Sequence, residues 1–437
     1  MKKHPKKTIG ELCDIQKGET GILSAIPGEY PLVTTGKERK TSATYQFDTK
    51  AVCIPLVSSS GHGKKSLNYV HYQEGKFALG TILAAIVPKN NTDISAAFLH
   101  QYLLFYKDIK IVPLMRGAAN VSLAVKDIAK IEVPLPPINE QKDFIFLFNK
   151  LHKFNDQLVQ EFDSQEKYIC QLKQAILQEA IAGQLTAEWR DRNPMQKGNP
   201  DTDAAALLAK IKAEKQQLIT DGKLKKEKTL PEISPDEIPF SLPDSWVWCR
   251  FGTFATFERG RFSIRPRNDQ SCYGGQYPFI QINSLSRNGD VITEYKQTLN
   301  EKGRSVSKEF PKGTIIIAIV GGTIGNLGVL GMNMCFPDSM VGIKPSGIRN
   351  QNFTLLLLRY KQPEIKKAAY QMSGQPNIKI PTFTELIIPL PPLAEQKAIV
   401  EKVDYLMKII DQLEEQIKHR KKLAEDLIQT VLREAFE

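Results

Sequence analysis

The sequence predicts an α+β protein, in which two similar mixed α/β domains are joined by two long antiparallel helices, a duplicated arrangement with approximate two-fold symmetry. Three observations support this fold class. A chain of 437 residues is too long for one ordinary hydrophobic core. A motif at residues 131–142, IEVPLPPINEQK, recurs as IIPLPPLAEQK at residues 387–397. Each copy is followed by a long segment that has no proline and is rich in helix-forming residues.

The repeat holds one register for about 45 residues, which indicates duplication rather than chance similarity. At an offset of 255 residues, Pro134 matches Pro389 and Glu140 matches Glu395, and residues 156–158 and 411–413 are both Asp-Gln-Leu. Upstream, residues 9–18 align more weakly with residues 251–260. Between these landmarks the two halves differ in length and sequence. We therefore expect one scaffold that carries two different surfaces.

The segments after the two motifs have apolar residues at alternating steps of three and four, the spacing of a coiled coil. We expect the two helices to pair along this apolar seam; the alternative is that each helix packs only on its own domain. Gly183 is expected to end the first helix. The predicted pairing residues are Phe144, Phe148, Leu151, Leu158, Ile399, Val403, Leu406, Leu413 and Ile417.

These patterns divide the chain into five parts. Residues 1–138 and 244–393 form the two mixed domains, residues 139–183 and 394–437 the long helices, and residues 184–243 a proline-rich connector with one helix at about 203–220. Runs of β-branched residues bounded by Gly, Pro or Ser predict buried strands at 51–57, 81–87 and 314–320. Short helices are predicted at 96–106 and 353–361.

Positive charge is concentrated in the two predicted domains. The net charge is +11; residues 1–138 contain 18 Lys and Arg against 11 Asp and Glu, and residues 244–393 contain 18 against 10. Compact basic domains attract polyanions, because neutralising phosphates releases condensed counterions. Two separate basic blocks therefore favour a nucleic acid as the partner over a generally basic protein.

The cysteines and the apolar runs exclude several classes of protein. Six scattered cysteines without a CxxC pair predict free thiols in a reducing compartment and no zinc site. No apolar run approaches the ~18 residues of a membrane span, and no signal-peptide pattern follows the basic N-terminus. We therefore expect a cytoplasmic protein that binds neither a metal nor a membrane.

The candidate DNA contacts are basic and amide side chains in segments expected to be loops. In the strongest group, Arg259, Arg261, Arg265 and Arg267, alternation with apolar residues would place the arginines on one side of an extended segment. Arg pairs bidentately with guanine or phosphate. Any single residue is more often a solvated surface charge, whereas the group favours DNA binding. The other candidates are Lys37, Arg39, Lys40, Lys64, Lys65, Arg116, Asn120, Asn283, Arg287, Gln375, Asn377 and Lys379.

The motifs of common enzymes are absent from the sequence. The glycine-rich segment 321–328 lacks the ending of a P-loop and the spacing of a dinucleotide-binding loop, so we interpret it first as a tight turn and second as a main-chain contact to a DNA phosphate. His62, in the corresponding segment of the first half, has no evident catalytic partners. No [DN]PP[YF] methyltransferase motif, ATPase motif or nuclease set occurs. We therefore expect no catalytic residues in this chain.

Two basic domains that each end in a PLPP-x-x-EQ motif and lead into a long helix resemble the DNA-specificity subunit of type I restriction–modification systems over essentially the whole chain. Residues 175–190 (AILQEAIAGQLTAEWR), 242–252 (LPDSWVWCRFG) and 374–378 (GQPNI) are similar to segments of one branch of that family. The first half departs from the last of these, because it has GAANV at 117–121.

The resemblance implies a non-catalytic subunit with two target-recognition domains, which read the two halves of a bipartite, asymmetric site in double-stranded DNA. It implies that the helices form a spacer and dock two modification subunits, which use S-adenosylmethionine to methylate adenine. Two restriction subunits that need ATP and magnesium would join the full complex, and this chain would bind no cofactor itself. Two other interpretations stay open: a scaffold or adaptor that binds RNA or acidic partners through its basic domains, and a lone enzyme with an unrecognised site.

Overall fold

The computed structural model describes residues 4–60, 63–225, 228–286, 288–344, 350–370 and 377–436. The chain forms two compact units: unit 1 comprises Met1–Gln165 and Gln416–Glu437, and unit 2 comprises Glu166–Glu415. The division falls inside two helices of 44 residues, so each of these helices contributes to both units. The predicted domain boundaries lie at the helix ends instead and stay a prediction. The predicted α+β, duplicated fold class is confirmed.

Unit 1 is a mixed unit whose helices and strands are, in chain order, β1 (Lys6–Thr8), α1 (Ile9–Leu12), β2 (Cys13–Lys17), β3 (Tyr30–Val33), β4 (Lys40–Ser42), β5 (Phe47–Asp48), β6 (Ala51–Pro55), β7 (His71–Gln73), β8 (Lys76–Leu79), β9 (Leu83–Pro88), α2 (Ala96–Tyr106), α3 (Val125–Ile128), β10 (Glu132–Pro134) and the first part of α4 (Ile138–Ile181). One sheet has the strand order β2-β9-β6-β7 and another the order β4-β3-β8-β5, while β1 pairs with β10.

The core of unit 1 lies between its sheets and helices. All five residues of β6 are buried, and so are those of β9 except the partly exposed Val87. Continuously apolar strands of this kind are typical of a sheet covered on both faces. α2 begins at its N-cap Ser95, whose hydroxyl accepts a hydrogen bond from Phe98 N–H at 3.2 Å, and its apolar residues enter the core. The predicted strands at 51–57 and 81–87 and the predicted helix at 96–106 are therefore confirmed.

Unit 2 is a second mixed unit, which contains the end of α4, then α5 (Ala187–Arg192), α6 (Ala204–Thr220), β11 (Val247–Arg250), α7 (Phe251–Phe254), β12 (Thr256–Arg259), β13 (Tyr273–Phe279), β14 (Val291–Ile292), β15 (Gln297–Leu299), α8 (Glu301–Ser305), β16 (Glu309–Phe310), β17 (Ile315–Ala318), β18 (Leu327–Leu330), β19 (Met334–Cys335), β20 (Met340–Lys344), α9 (Gln351–Tyr370), α10 (Ile380–Thr384), β21 (Ile387–Leu390) and the first part of α11 (Leu393–Phe436). Its sheets have the orders β12-β20-β17-β18-β14, β15-β13-β19-β16 and β11-β21.

The elements predicted for the second half are present, with one difference in length. β17 lies at the predicted strand, and α6 at the predicted connector helix. The helix predicted at 353–361 is longer, because α9 continues to Tyr370 with Pro363 inside it. Buried residues lie on both sides of this proline, Leu358 before it and Ile365 and Ala369 after it. Continued burial of one face offsets the hydrogen bond that a proline removes from a helix.

The strand pairs β1–β10 and β11–β21 show the duplication in atomic detail. Lys6 lies opposite Pro134 in the first pair, and Trp248 lies opposite Pro389 in the second. Pro134 and Pro389 are matched positions of the sequence repeat, so their strand partners Lys6 and Trp248 are also equivalent. The residues around β1 are therefore equivalent to those 242 positions later in the chain. The weak alignment of residues 9–18 with 251–260 is thereby confirmed at the level of strand register.

The repeated glutamine of the EQ motif has the same structural role in both copies. Gln141 Nε2 donates a hydrogen bond to Pro136 O at 2.9 Å, and Gln396 Nε2 donates to Pro391 O at 3.0 Å. Both side chains are fully buried. Each amide holds the proline turn against the first turn of its long helix, and this explains why the motif precedes the helix in both halves.

Contacts within unit 1 show that α4 and α11 are antiparallel. The ring of Phe144, near the start of α4, lies 3.9 Å from the ring of Phe436, at the end of α11. Further along, Asp163 forms an ion pair with Lys421 at 3.7 Å. Leu432 and Phe436 belong to the main core of unit 1. The alternative that each helix packs only on its own domain is therefore wrong for the end of α11.

Contacts within unit 2 continue the same antiparallel pairing. Lys173 of α4 forms ion pairs with Asp411 at 3.1 Å and with Glu414 at 3.0 Å, both on α11. α4 ends two residues before Gly183, which adopts a positive φ of 78°, and the main-chain N–H of Gln184 donates to Glu179 O at 2.9 Å. The predicted stop at Gly183 is confirmed as a left-handed helix C-terminus.

The predicted apolar seam is buried at most of its positions. Phe144, Phe148, Ile399, Val403 and Ile417 are buried, and Leu151, Leu158 and Leu406 are partly buried. Leu413 does not fit the prediction, because 41% of its surface is exposed. Its neighbours Asp411 and Glu414 form ion pairs with Lys173, so ion pairs contribute to the helix pairing at this level.

Candidate nucleic-acid interface

The first basic segment of unit 1, residues 34–40, is anchored by one of its own predicted DNA contacts. Arg39 Nε donates to Gln73 Oε1 at 3.0 Å, Nη2 donates to Tyr72 O at 3.3 Å, and Nη1 lies 3.2 Å from His71 Nδ1. Arg39 therefore holds the segment against β7 and is only partly exposed. The predicted contacts Lys37 and Lys40 are exposed, so their ammonium groups face solvent.

The partner of Arg39, His71, is a buried neutral histidine. Burial, reinforced by the positive charges of Arg39 and His100, lowers the pKa of His71 to about 4. Because an Arg39 N–H donates to Nδ1, the ring proton of neutral His71 belongs on Nε2. His71 thus accepts from Arg39 only in its neutral form.

The structure brings together two other groups of predicted contacts in unit 1. Lys64 and Lys65 are exposed on a loop that approaches residues 116–122: an added Cβ at Gly63 would lie 2.2 Å from Ala118 O. Ser58 N–H, at the base of that loop, donates to Val121 O at 3.0 Å. The predicted contacts Arg116 and Asn120 are both exposed. These four side chains therefore share one basic surface.

The arginine group of unit 2 is clustered, but not by the predicted extended segment. β12 ends at Arg259, Phe262 forms an isolated antiparallel bridge with Ser307, and residues 265–268 form a bend and a turn, so the four arginines do not lie on one regular strand. The arginines gather around Asp338 instead, since Arg265 and Arg267 both form ion pairs with its carboxylate and Arg259 Nε donates to its main-chain carbonyl at 2.6 Å. A shared carboxylate fixes several guanidinium groups in one place.

Arg261 differs from the other three arginines in its partners. Its Nη2 donates to Ser307 O at 2.9 Å, so its guanidinium holds neighbouring main chain. Arg265 likewise donates to its local main chain, at Phe262 O and Ile264 O. All four side chains nevertheless belong to exposed residues. The group forms a positive surface with one central carboxylate, and sequence alternation alone could not indicate Asp338.

The remaining candidates of unit 2 lie on exposed turns. Asn283 is exposed on a short 3₁₀ turn, and Lys379 is the exposed residue before α10. Asn377 pairs with Val320, which places it beside the glycine-rich segment. That segment forms a 3₁₀ turn between β17 and β18, as the first interpretation predicted. Arg287 and Gln375, like His62 in unit 1, lie outside the described residues.

A cationic cleft in unit 2 was missed by sequence reasoning. It has a volume of about 950 Å³, and Glu258 in its wall forms an ion pair with Lys308 and another with Lys344 at 3.6 Å. Burial lowers the pKa of both lysines. No motif could have indicated this cleft, because its basic residues come from distant parts of the chain: Lys223, Lys225, Arg259, Lys308, Lys312 and Lys344.

The described parts of the chain contain neither a metal-binding cluster nor a membrane-spanning helix. No group of three or more His, Cys, Asp or Glu there could hold a metal ion. Within the same residues, no helix is both long and apolar enough to cross a membrane. The six cysteines are free thiols, as predicted.

Comparison with known proteins identifies the family. The family model described as "Type I restriction modification DNA specificity domain" matches residues 1–176 and again residues 243–420. The chain thus contains two copies of one domain, and each copy has its own basic surface. This arrangement defines the class of protein as a duplicated DNA-specificity protein. The chain belongs to the family of type I restriction modification DNA specificity domains, as the resemblance indicated.

Relatives and a solved structure agree with this assignment. The chain is 32% identical over 289 residues to the type I restriction enzyme EcoAI specificity subunit of Escherichia coli, a match that covers 60% of this chain but only 44% of the relative. It is 26% identical over 445 residues to the EcoDI specificity subunit of Escherichia coli, covering 98% of this chain and 87% of that one. A chain from a structure on complex assembly and conformational transition of the type I R-M system is similar in fold, with a TM-score of 0.59, 16% identity and coverage of 100% and 99%.

Proposed function

We propose that this chain is the sequence-specific DNA-binding specificity subunit of a type I restriction–modification complex, and that each domain reads one half of a bipartite, asymmetric site in double-stranded DNA. The observation that carries the proposal is the combination of a common scaffold with different basic surfaces. Units 1 and 2 share strand register and motif geometry, whereas Lys64, Lys65 and Arg116 in one have no counterpart in the arginine group around Asp338 in the other.

The chemistry of these surfaces suits DNA. Lysine ammonium groups on loops position a phosphate backbone, and clustered arginines contact phosphate or guanine. The asparagines Asn120 and Asn283 add exposed amides, which can donate to and accept from base edges. These loops carry different residues in the two units, and two different half-sites would have to be read by different residues.

The proposal assigns catalysis to partner subunits. The sequence has no methyltransferase, ATPase or nuclease motif. Two modification subunits with S-adenosylmethionine, and two restriction subunits with ATP and magnesium, would therefore supply the reactions. The long helices offer them a surface, because several large apolar side chains on α4 and α11 are exposed: Phe154, Tyr168, Leu172, Tyr405, Leu423 and Leu427.

Selection from a pool of randomised DNA duplexes, with the purified chain assembled with its modification subunits, tests this proposal. The expected result is enrichment of two short conserved blocks separated by a gap of fixed length. The chain alone, given S-adenosylmethionine, should transfer no methyl group to the selected duplex. Enrichment of a single block, equal retention of single-stranded RNA, or methyl transfer without any partner would overturn the proposal in favour of an adaptor or an enzyme.

A further inference from the structure

The first turns of α4 and α11 contain equivalent acidic residues in different surroundings. Glu140 and Glu395 are matched positions of the repeat. The strand register makes His4 of unit 1 equivalent to Trp246 of unit 2, two residues before Lys6 and Trp248 respectively. The equivalent pairs are in contact in both units: His4 Nε2 lies 3.3 Å from Glu140 Oε2, and Trp246 Nε1 donates to Glu395 Oε2 at 2.7 Å.

In unit 2 the second oxygen of this carboxylate is also occupied. Glu395 Oε1 accepts a hydrogen bond from the Thr186 hydroxyl at 2.7 Å and from Arg190 Nη1 at 2.6 Å, and the Glu395 side chain is fully buried. Thr186 precedes α5 and Arg190 lies on it, so one helical turn carries both donors. A buried carboxylate needs this set of partners, because an unpaired charge in the interior is costly.

The same connector segment satisfies the main chain at the start of α11. Leu393 N–H donates to Pro200 O at 3.1 Å, and Ala394 N–H donates to Asp201 O at 3.3 Å. The first N–H groups of an α-helix have no carbonyl acceptor within the helix, so they need acceptors from elsewhere. Residues 186–201 thus supply a guanidinium, a hydroxyl and two carbonyls to one helix N-terminus.

In unit 1 the equivalent positions are open. The Glu140 side chain is 52% exposed, and no described residue forms a hydrogen bond with its Oε1. Among the described residues, no hydrogen bond involves the N–H groups of Ile138 and Asn139, which are equivalent to those of Leu393 and Ala394. The start of α4 therefore presents the same acceptor and donors as the start of α11, and no segment among the described residues engages them.

We propose that the open junction of unit 1 (His4, Ile138, Asn139 and Glu140) is a docking site for an arginine-bearing helical segment of a partner protein. The segment would pair its arginine with Glu140 Oε1 and place main-chain carbonyls on the two N–H groups, as residues 186–201 do for α11. Arginine fits better than lysine, because a planar guanidinium can hydrogen bond to a carboxylate and a neighbouring hydroxyl together. In unit 2, Arg190 lies 3.3 Å from the Thr186 hydroxyl in this way.

The charge of the junction decides between partner classes. A free carboxylate repels phosphate and attracts a guanidinium, so Glu140 favours a cationic protein segment over DNA as the occupant of this surface. The chain's own residues 186–201 are engaged with Glu395 inside unit 2, so a segment from another protein is the occupant to which we commit. The inference goes beyond the proposed function, because it concerns a protein contact that holds whether or not the basic surfaces bind DNA.

A synthetic peptide of residues 184–203 of this chain is the probe for the junction. Its fluorescence anisotropy is measured as the full-length protein is added, because the peptide carries the donors that the open junction is expected to bind. Binding should weaken about tenfold with Glu140→Gln, the size of a lost charge-assisted hydrogen bond. Asp143→Asn is the matched control: it removes an exposed acidic charge one helical turn away, and should change the affinity less than twofold.

Charge reversal separates a specific contact from general attraction. The protein with Glu140→Arg should bind the natural peptide weakly and regain affinity for the peptide with Arg190→Glu. Glu140 is half exposed, so these variants should keep the wild-type circular dichroism spectrum. Absence of peptide binding, unchanged affinity with Glu140→Gln, or no recovery in the reversed pair would overturn the inference. None of these outcomes bears on duplex selection, so the two proposals fail separately.

Discussion

Equivalent residues in the two copies of the duplicated motif have the same structural role in some cases and different roles in others, depending on the residues around them. Gln141 and Gln396 hold equivalent proline carbonyls and are buried in both units. Glu395 is buried and paired, whereas its counterpart Glu140 is half exposed. The same residue at the same repeat position therefore contributes differently to stability. A buried carboxylate with three donors is costly to disturb, and an exposed one is not.

Glu395→Ala is expected to destabilise unit 2 by about 3 kcal/mol, because it leaves the buried donors of Arg190, Thr186 and Trp246 without an acceptor. Urea unfolding followed by tryptophan fluorescence measures this, since all three tryptophans lie in unit 2. Glu140→Ala is the matched control and should leave that transition in place. Equal midpoints for Glu395→Ala and the wild type would contradict the burial argument.

The buried histidine of unit 1 predicts a dependence of stability on pH. The pKa of His71 is lowered to about 4 in the folded state, against an ordinary value near 6.5. The unfolded chain therefore binds a proton below about pH 6.5 that the folded chain takes up only near pH 4. The stability of unit 1 should fall across this window, by about 3 kcal/mol in total from this residue.

His71→Gln is the variant that checks the source of the effect. Glutamine can still accept from Arg39 but does not titrate, so the fall between pH 6.5 and pH 4 should become smaller by the contribution of His71. Urea unfolding followed by circular dichroism at several pH values measures it. The partly buried His100, whose pKa is also lowered by burial, keeps its own contribution in both proteins. Parallel pH curves for the variant and the wild type would rule out His71 as the titrating group.

At the scale of elements, the long helices were the most predictable part of the chain. Their bounds follow from the proline turns before them and from Gly183 after the first, and their periodicity indicated antiparallel pairing. The periodicity did not show which seam positions are buried. Ile410 is 2% exposed and Leu413 is 41% exposed, although both are apolar residues at the three-and-four spacing of α11. The ion pairs that Lys173 forms with Asp411 and Glu414 were likewise not indicated by the periodicity.

Ile410→Asp should destabilise unit 2 by about 3 kcal/mol, because an unpaired carboxylate would replace a buried apolar side chain. Leu413→Asp is the matched control on the same helix face and should cost less than about 1 kcal/mol. Tryptophan fluorescence in urea again reports on the unit concerned. If the two variants were equally destabilised, the burial pattern along α11 would be wrong, and the regular seam predicted from sequence would be right.

At the scale of the whole molecule, two units of one scaffold carry surfaces of different composition. The motif geometry and the β1–β10 and β11–β21 registers are common, whereas unit 1 displays Lys64 and Lys65 on a loop beside Arg116, and unit 2 displays arginines around Asp338. Each unit has its own buried core. Recognition by one unit should therefore be separable from recognition by the other.

Exchange of residues 1–130 for the matching domain of a relative is expected to change one half of the recognised DNA sequence and leave the other half as it was. The exchanged part contains the candidate contacts of unit 1 and none of those of unit 2. Mapping the methylated sites of a host that expresses the hybrid measures both halves at once. A simultaneous change in both halves would contradict independent reading.

The sequence by itself determined the duplication, the two long helices and their ends, the position of several strands and the basic character of both domains. These features could be predicted because the similarity of the repeats, the periodicity of apolar residues and the net charge are all properties of consecutive residues. Only the tertiary structure decided which partners individual side chains contact and how far they are buried. Arg39 holds its loop through β7, arginines share Asp338, basic residues from four segments line one cleft, and Glu395 is enclosed while Glu140 is half exposed. Each of these contacts joins residues that are distant in the chain. The spacing of neighbouring residues does not predict such long-range contacts.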